Sequence, residues 1–138
     1  MIVMKPIGYW LNRTDRAITH YMNGTLAEFG LTRLAWQVLN VVRDGKDVAD
    51  DEVHTILVAN AEAADLDTAV TLLLTDGWVA RPAAERLALT DDGRERLVKV
   101  GASIDTFREV SLAGVTDDEY RTAVSVLERM TENLEARR

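Results

Sequence analysis

Between Tyr9 and His20 the chain sets Tyr9, Arg13, Arg16 and His20 at three- and four-residue steps. On a helix such steps share one face. Trp10 lies beside the first of them and Trp36 follows in the next segment. An arginine can grip a carboxylate through two parallel hydrogen bonds while aromatic side chains cover a ring, so this is a candidate anion-binding group. The same residues also have a plain reading. The arginines are then solvated or paired with Asp15 and Glu28, and His20 is a satisfied interface residue.

Other chemistry has less to stand on. The sequence has no Gly-x-Ser-x-Gly elbow, no phosphate-cradling glycine loop and no His-Glu-x-x-His pair, so no enzymatic activity is expected. With no cysteine, disulfides, thiolate metal sites and cysteine nucleophiles are excluded, and two histidines leave little for a metal. No cofactor is expected. Asp50-Asp51-Glu52 resembles a metal cluster, but carboxylates opening a helix complement its macrodipole, and His54 four residues after Asp50 is expected to be exposed.

The 138 residues match the usual size of one domain, and 47% hydrophobic residues suffice for a compact core. No apolar run reaches the roughly 18 to 20 residues needed to span a bilayer, and Met1 to Pro6 does not read as the start of a signal peptide. A cytoplasmic protein without a membrane partner is expected. The net charge of −7 opposes non-specific attraction to polyanions. Its distribution is uneven: Met1 to Arg43 holds five basic and two acidic side chains, whereas Asp44 to Asp76 holds nine carboxylates and only Lys46.

Apolar or small residues at Ile7, Leu11, Thr14, Ile18, Tyr21, Met22, Thr25 and Phe29 predict one long helix from Pro6 to Phe29, ended by Gly30. Thr32 caps a second helix through Leu34, Ala35, Val38, Leu39 and Val42, after which Asp44-Gly45-Lys46 reads as a turn. A short acidic helix near 50–58 precedes another carrying Leu66, Ala69, Val70, Leu73 and Leu74, stopped by Gly77. Trp78 to Arg81 and Arg86 to Leu89 are strand-like runs separated by Pro82-Ala83-Ala84-Glu85, a small hairpin. One more helix passes through Leu97, Val100, Ile104 and Phe107. The last opens with the capping-box pair Thr116 and Glu119 and carries Tyr120, Ala123, Val124, Leu127, Met130 and Leu134.

The expected fold is mainly α with a small β-hairpin wing: a winged helix-turn-helix with helices added at both ends. A wing lobe of roughly 70 residues has too little surface to cover both terminal helices. Either they pack back on their own chain, or a second copy covers them in a homodimer through Ile7, Leu11, Tyr120, Val124, Leu127 and Leu134.

Four stretches in this order and spacing resemble the MarR family of bacterial transcription regulators: Gly8 to Arg13; Gly30-Leu31-Thr32 with Trp36 to Leu39; Leu73 to Arg81; and Leu89-Thr90-Asp91-Asp92-Gly93. The resemblance implies a single domain over 1–138, with dimerisation helices at 6–29 and 94–136 and a winged lobe at 31–90. It implies a homodimer on double-stranded DNA. It also implies a pocket for small aromatic acids bordered by the first two helices, with Tyr9, Arg13, Arg16, His20 and Trp36 as ligand-binding candidates.

The sequence departs from the family where DNA would be met. The helix before Gly77, which the family places in the major groove, offers Asp65, Asp67, Thr68, Thr71 and Leu72 outward. Lys46 is the only lysine or arginine between Arg43 and Arg81, and the wing tip is several residues short. Two readings follow. In one, Thr68 and Thr71 read bases while Arg33, Arg81 and Arg86 contact phosphates. In the other, the chain is a ligand-sensing or protein-interaction module that has lost direct DNA binding, since carboxylates facing phosphate oppose the counterion-release term.

Overall fold

A computed structural model describes residues 4–137, so both ends of the expected 1–138 domain lie outside the described residues. The chain divides into two compact units, Met1–Asp105 and Thr106–Arg138.

In the first unit, α1 (Ile7–Leu26) starts after Pro6 and tightens into a 3₁₀ turn at Ala27–Phe29 before Gly30. Thr32 caps α2 (Arg33–Gly45) by accepting a 3.1 Å hydrogen bond from the Ala35 amide. The helix then runs through Gly45, and the reversal expected at Asp44-Gly45-Lys46 falls at Lys46, whose φ is 66°. β1 (Val48–Ala49), α3 (Asp50–Leu57), α4 (Ala63–Thr75), β2 (Val79–Ala80), β3 (Arg86–Leu89) and α5 (Asp91–Ser111) follow. The last of these begins in the first unit and ends in the second.

The core is built around α2, which contacts α1, α3, α4, β1 and β3. Its Val38, Leu39 and Val42 are fully buried, together with Leu26, Val53, Leu73, Trp78 and Leu87 from surrounding elements. Burying one such aliphatic side chain contributes about 1.5–3 kcal/mol, so this cluster fixes how the lobe's helices sit on one another.

The hairpin expected from sequence is one strand short. The sheet has three antiparallel strands in the order β1-β3-β2, with Val48 opposite Leu87 and Val79 opposite Leu89. β1 joins the start of α3 to the wing. Two residues are too few to show the alternation that marks a strand in sequence.

The second unit holds the end of α5 and α6 (Asp117–Glu135). Thr116 and Glu119 form the expected capping box: the hydroxyl accepts from the Glu119 amide at 3.1 Å and the carboxylate accepts from the Thr116 amide at 2.9 Å. No residue of α6 is buried. Among the described residues, no helix is long and apolar enough to cross a membrane.

Candidate nucleic-acid interface

Helices α3 and α4 with the β2–β3 wing form the winged helix-turn-helix. Acidic residues fill the first turn of α3, where they complement the macrodipole, and Glu52 Oε1 accepts from the Ala49 amide at 3.3 Å. His54, expected to be exposed, is half-buried. Its Nε2 lies 2.9 Å from Asp67 Oδ1 on α4 and its Nδ1 lies 2.9 Å from the Asp50 carbonyl oxygen. This tie between the two helices is the feature that sequence reasoning missed.

On α4, Leu66, Ala69, Val70 and Leu73 turn inward. Thr68, Thr71 and Leu72 stand on the exposed side, as the sequence predicts. With Asp67, Thr75, Asp76 and Gly30 they line an open cleft of about 630 Å³. The Thr68 hydroxyl donates to its own helix at the Ala64 carbonyl, 3.0 Å away.

Both wing arginines are engaged with carboxylates across the sheet. Arg81 donates to Asp50 Oδ1 at 3.0 Å, and Arg86 donates through Nε to Asp47 Oδ1 at 2.9 Å and through a second nitrogen to the Asp47 carbonyl at 3.0 Å. β1 brings this about, because Ala49 pairs with Arg86 and sets Asp47 and Asp50 at the foot of the wing. The wing tip turns at Glu85, whose φ is 59°. Arg33 is held against α1: it donates to Asp15 Oδ1 and Thr19 Oγ1, both at 2.8 Å, and is only 22% exposed. Asp15 therefore pairs with Arg33; of the plain reading that the arginines are solvated or paired with Asp15 and Glu28, Arg16 is exposed while Arg13 bonds to Tyr9.

The strand-to-helix junction ties Gly77-Trp78 to Leu89-Thr90-Asp91-Asp92-Gly93. Gly77 takes the left-handed φ of 78° that ends α4 and turns the chain into β2. The Thr90 hydroxyl donates to the Gly77 carbonyl at 2.6 Å and accepts from the Gly93 amide at 2.8 Å, which caps α5. A Cβ at position 93 would overlap the Trp78 carbonyl. Trp78 is fully buried, its Nε1 donates to Asp76 at 3.0 Å, and the Arg96 guanidinium covers its ring at 3.8 Å.

Of the ligand candidates, Tyr9 and Arg13 come together. Arg13 donates to the Tyr9 hydroxyl at 2.8 Å and lies 5.6 Å over the Trp10 ring, which packs edge-on against Tyr9. Arg16 and His20 are exposed and Trp36 is half-buried. Of the dimer candidates, Ile7, Leu11, Tyr120, Val124 and Leu134 are exposed and Leu127 is half-buried.

No protein-family profile and no curated protein matches the chain. Solved structures do. The reduced form of MarR from Escherichia coli superposes with a TM-score of 0.74 at 20% identity, over 93% of this chain and 95% of that one. A mutant of the same protein complexed with operator DNA gives 0.78 at 18% identity, over 91% and 93%. A Mycobacterium tuberculosis MarR family protein in complex with p-aminosalicylic acid gives 0.71 at 24% identity, over 92% and 99%. The chain therefore has the winged-helix fold of the MarR-family regulators.

Proposed function

We propose that the chain is a homodimeric, cytoplasmic transcription regulator of MarR type, which binds double-stranded DNA and has no catalytic role. The observation that carries this reading is the superposition, over 91% of the chain, on a MarR protein bound to operator DNA. In this reading 31–90 is the DNA-binding lobe, and 6–29 and 94–136 are the dimerisation helices.

Two features support a second copy as partner. Near its start, α1 exposes Ile7, Trp10 and Leu11, and α6 exposes Tyr120, Val124, Met130 and Leu134 while burying nothing. Apolar stripes on terminal helices are covered most simply by the same stripes of another protomer. Responsiveness to a small aromatic acid extends the proposal. It draws on the grouping of Tyr9, Trp10 and Arg13 and on the p-aminosalicylic acid complex of the mycobacterial protein. A module without DNA contact would account for the paired wing arginines, but it leaves the helix-turn-helix and wing without a role.

The test is a fluorescence-anisotropy titration of the purified protein against the DNA flanking its own gene, at two salt concentrations. Sequence-dependent binding is expected, with log affinity falling less steeply with log salt than for a regulator making about six to ten phosphate contacts. Equal affinity for flanking and random duplexes at low salt would overturn the regulator reading.

A further inference from the structure

The outward face of α4 lacks every side chain that reads purines through paired hydrogen bonds. Guanine is read by Arg or Lys and adenine by Asn or Gln. Here the exposed face carries Ala64, Thr68, Thr71, Leu72 and Thr75, flanked by the exposed carboxylates of Asp65 and Asp67. At about 100° per residue these five form one stripe opposite the buried Leu66, Ala69, Val70 and Leu73. Each of them carries at least one methyl group. The Thr68 hydroxyl already donates to the Ala64 carbonyl, so toward a base it offers its methyl and an acceptor oxygen but no free donor. Leu72 is 40% exposed, and nothing in the lobe's core requires a leucine there. The flanking Asp67 is engaged by His54.

We propose that α4 reads thymine, with the methyl groups of Thr68, Thr71, Leu72 and Thr75 packing on thymine C5 methyls in the major groove and Leu72 as the main specificity determinant. The inference rests on the DNA-binding function proposed above and names the base chemistry of the same helix. Thymine alone among the four bases presents a methyl in the major groove. Contact between methyl groups draws on water exclusion rather than charge, so it suits a helix whose carboxylates weaken the usual attraction to phosphate. Double-stranded DNA is favoured over a protein as the occupant because the stripe lies on the second helix of a helix-turn-helix. The β2 strand of the wing packs against that helix.

The experiment selects duplexes from a random pool with the purified full-length protein, then replaces each thymine of the winning site by deoxyuridine. That exchange removes one methyl and leaves every hydrogen-bonding edge intact. Thymine-containing half-sites are expected, and each uridine beneath α4 should weaken binding by about fourfold, the effect of one apolar carbon. Leu72→Ala should abolish the uridine effect at one or two positions. Because Leu72 is partly exposed and alanine favours helix, the variant should keep its circular dichroism spectrum and melting temperature. Selected sites whose affinity is insensitive to uridine would overturn thymine reading while leaving the regulator function standing. A pool yielding no preferred sequence would overturn both and point to a protein as the cover for this stripe.

Discussion

His54 on α3 lies between two acceptors, the Asp50 carbonyl oxygen and the Asp67 carboxylate on α4, each 2.9 Å from a ring nitrogen. Only an imidazolium, with a proton on both nitrogens, satisfies both. The Asp50 carbonyl first, and then the Asp67 carboxylate, hold the pKa above the ordinary imidazole value of about 6.5, while desolvation acts the other way. The Ala63 backbone also favours the charged ring, and the neighbouring Asp50 carboxylate is taken up by Arg81. A raised folded value means that the stabilisation is fully present below about pH 6.5 and is lost as pH rises through the folded pKa. Wild type should therefore exceed His54→Gln in melting temperature at pH 6, with the gap closing by pH 8.5. The chain has two histidines, so NMR assigns His54 by the resonance that the variant lacks. A titration midpoint below 6.5 would count against this tie.

Arg96 ties the start of α5 to the end of α4. Its guanidinium stacks on Trp78 at 3.8 Å while donating to the Asp76 carbonyl at 2.9 Å and to the Asp76 carboxylate at 3.0 Å. Arg96 first, then the Trp78 indole N–H, keeps the Asp76 carboxyl below the usual carboxylate range. Its contribution is accordingly present above the ordinary value and lost as pH falls through the lowered one. Arg96→Ala should destabilise by about 1–3 kcal/mol in urea unfolding at neutral pH, from lost stacking and charged hydrogen bonds. Arg96→Lys should recover little of it, because an ammonium can neither stack as a plane nor reach both acceptors in a fixed fork. A lysine variant as stable as wild type would show that charge alone matters here.

What could be read from sequence was the chemistry of neighbours. The caps at Thr32 and Thr116, the stop at Gly77 and the periodic stripes of α1, α2, α4 and α6 all depend on residues within a turn or two of one another. The pairings that bear on the proposed DNA contact do not. Arg81 meets Asp50 across 31 positions and Arg86 meets Asp47 across 39, and both pairings depend on the two-residue β1. The arginines could be chosen as phosphate contacts from their types, but their partners are supplied by a strand with no sequence signature. The half-burial of His54 escapes the sequence for the same reason, since 13 residues and a helix-turn-helix bend separate it from its partner Asp67.

The proposed dimer is tested on α6. Val124 is 46% exposed, so Val124→Asp should fold as a single chain yet place an unpaired charge in the interface. Light scattering at micromolar concentration should give about 30 kDa for wild type, twice the 15.4 kDa chain, and about half of that for the variant. A wild type that behaves as a monodisperse single chain would end the dimer proposal.

The ligand proposal predicts that salicylate raises the melting temperature. At a hundred times its dissociation constant the gain is about 2.7 kcal/mol, a shift of several degrees. Arg13→Ala removes both the guanidinium over Trp10 and the hydrogen bond to Tyr9, so it should reduce that shift. His20→Ala should have the smaller effect, because His20 lies outside the Tyr9–Trp10–Arg13 cluster. A panel of aromatic acids at millimolar concentration with no shift in wild type would remove the support for a pocket.

The pairing of Arg86 with Asp47 bears directly on the proposed phosphate contact. Arg86 uses Nε and a second nitrogen on Asp47, so its charge must be shared or released before it can meet a phosphate. Asp47→Asn keeps the size of the side chain and removes its charge, which frees Arg86 at the wing. Affinity for any duplex should rise, and the slope of log affinity against log salt should steepen by about 0.9, the increment for one further phosphate contact. Arg86→Ala should weaken binding to all sequences alike and leave base preference unchanged, whereas Thr68→Ala should alter which bases are preferred, because phosphate contacts position and base contacts specify. In Asp47→Asn/Arg86→Ala the gain from the asparagine should vanish. If it persists there, the benefit comes from removing general repulsion, and Arg86 is not the group that Asp47 restrains.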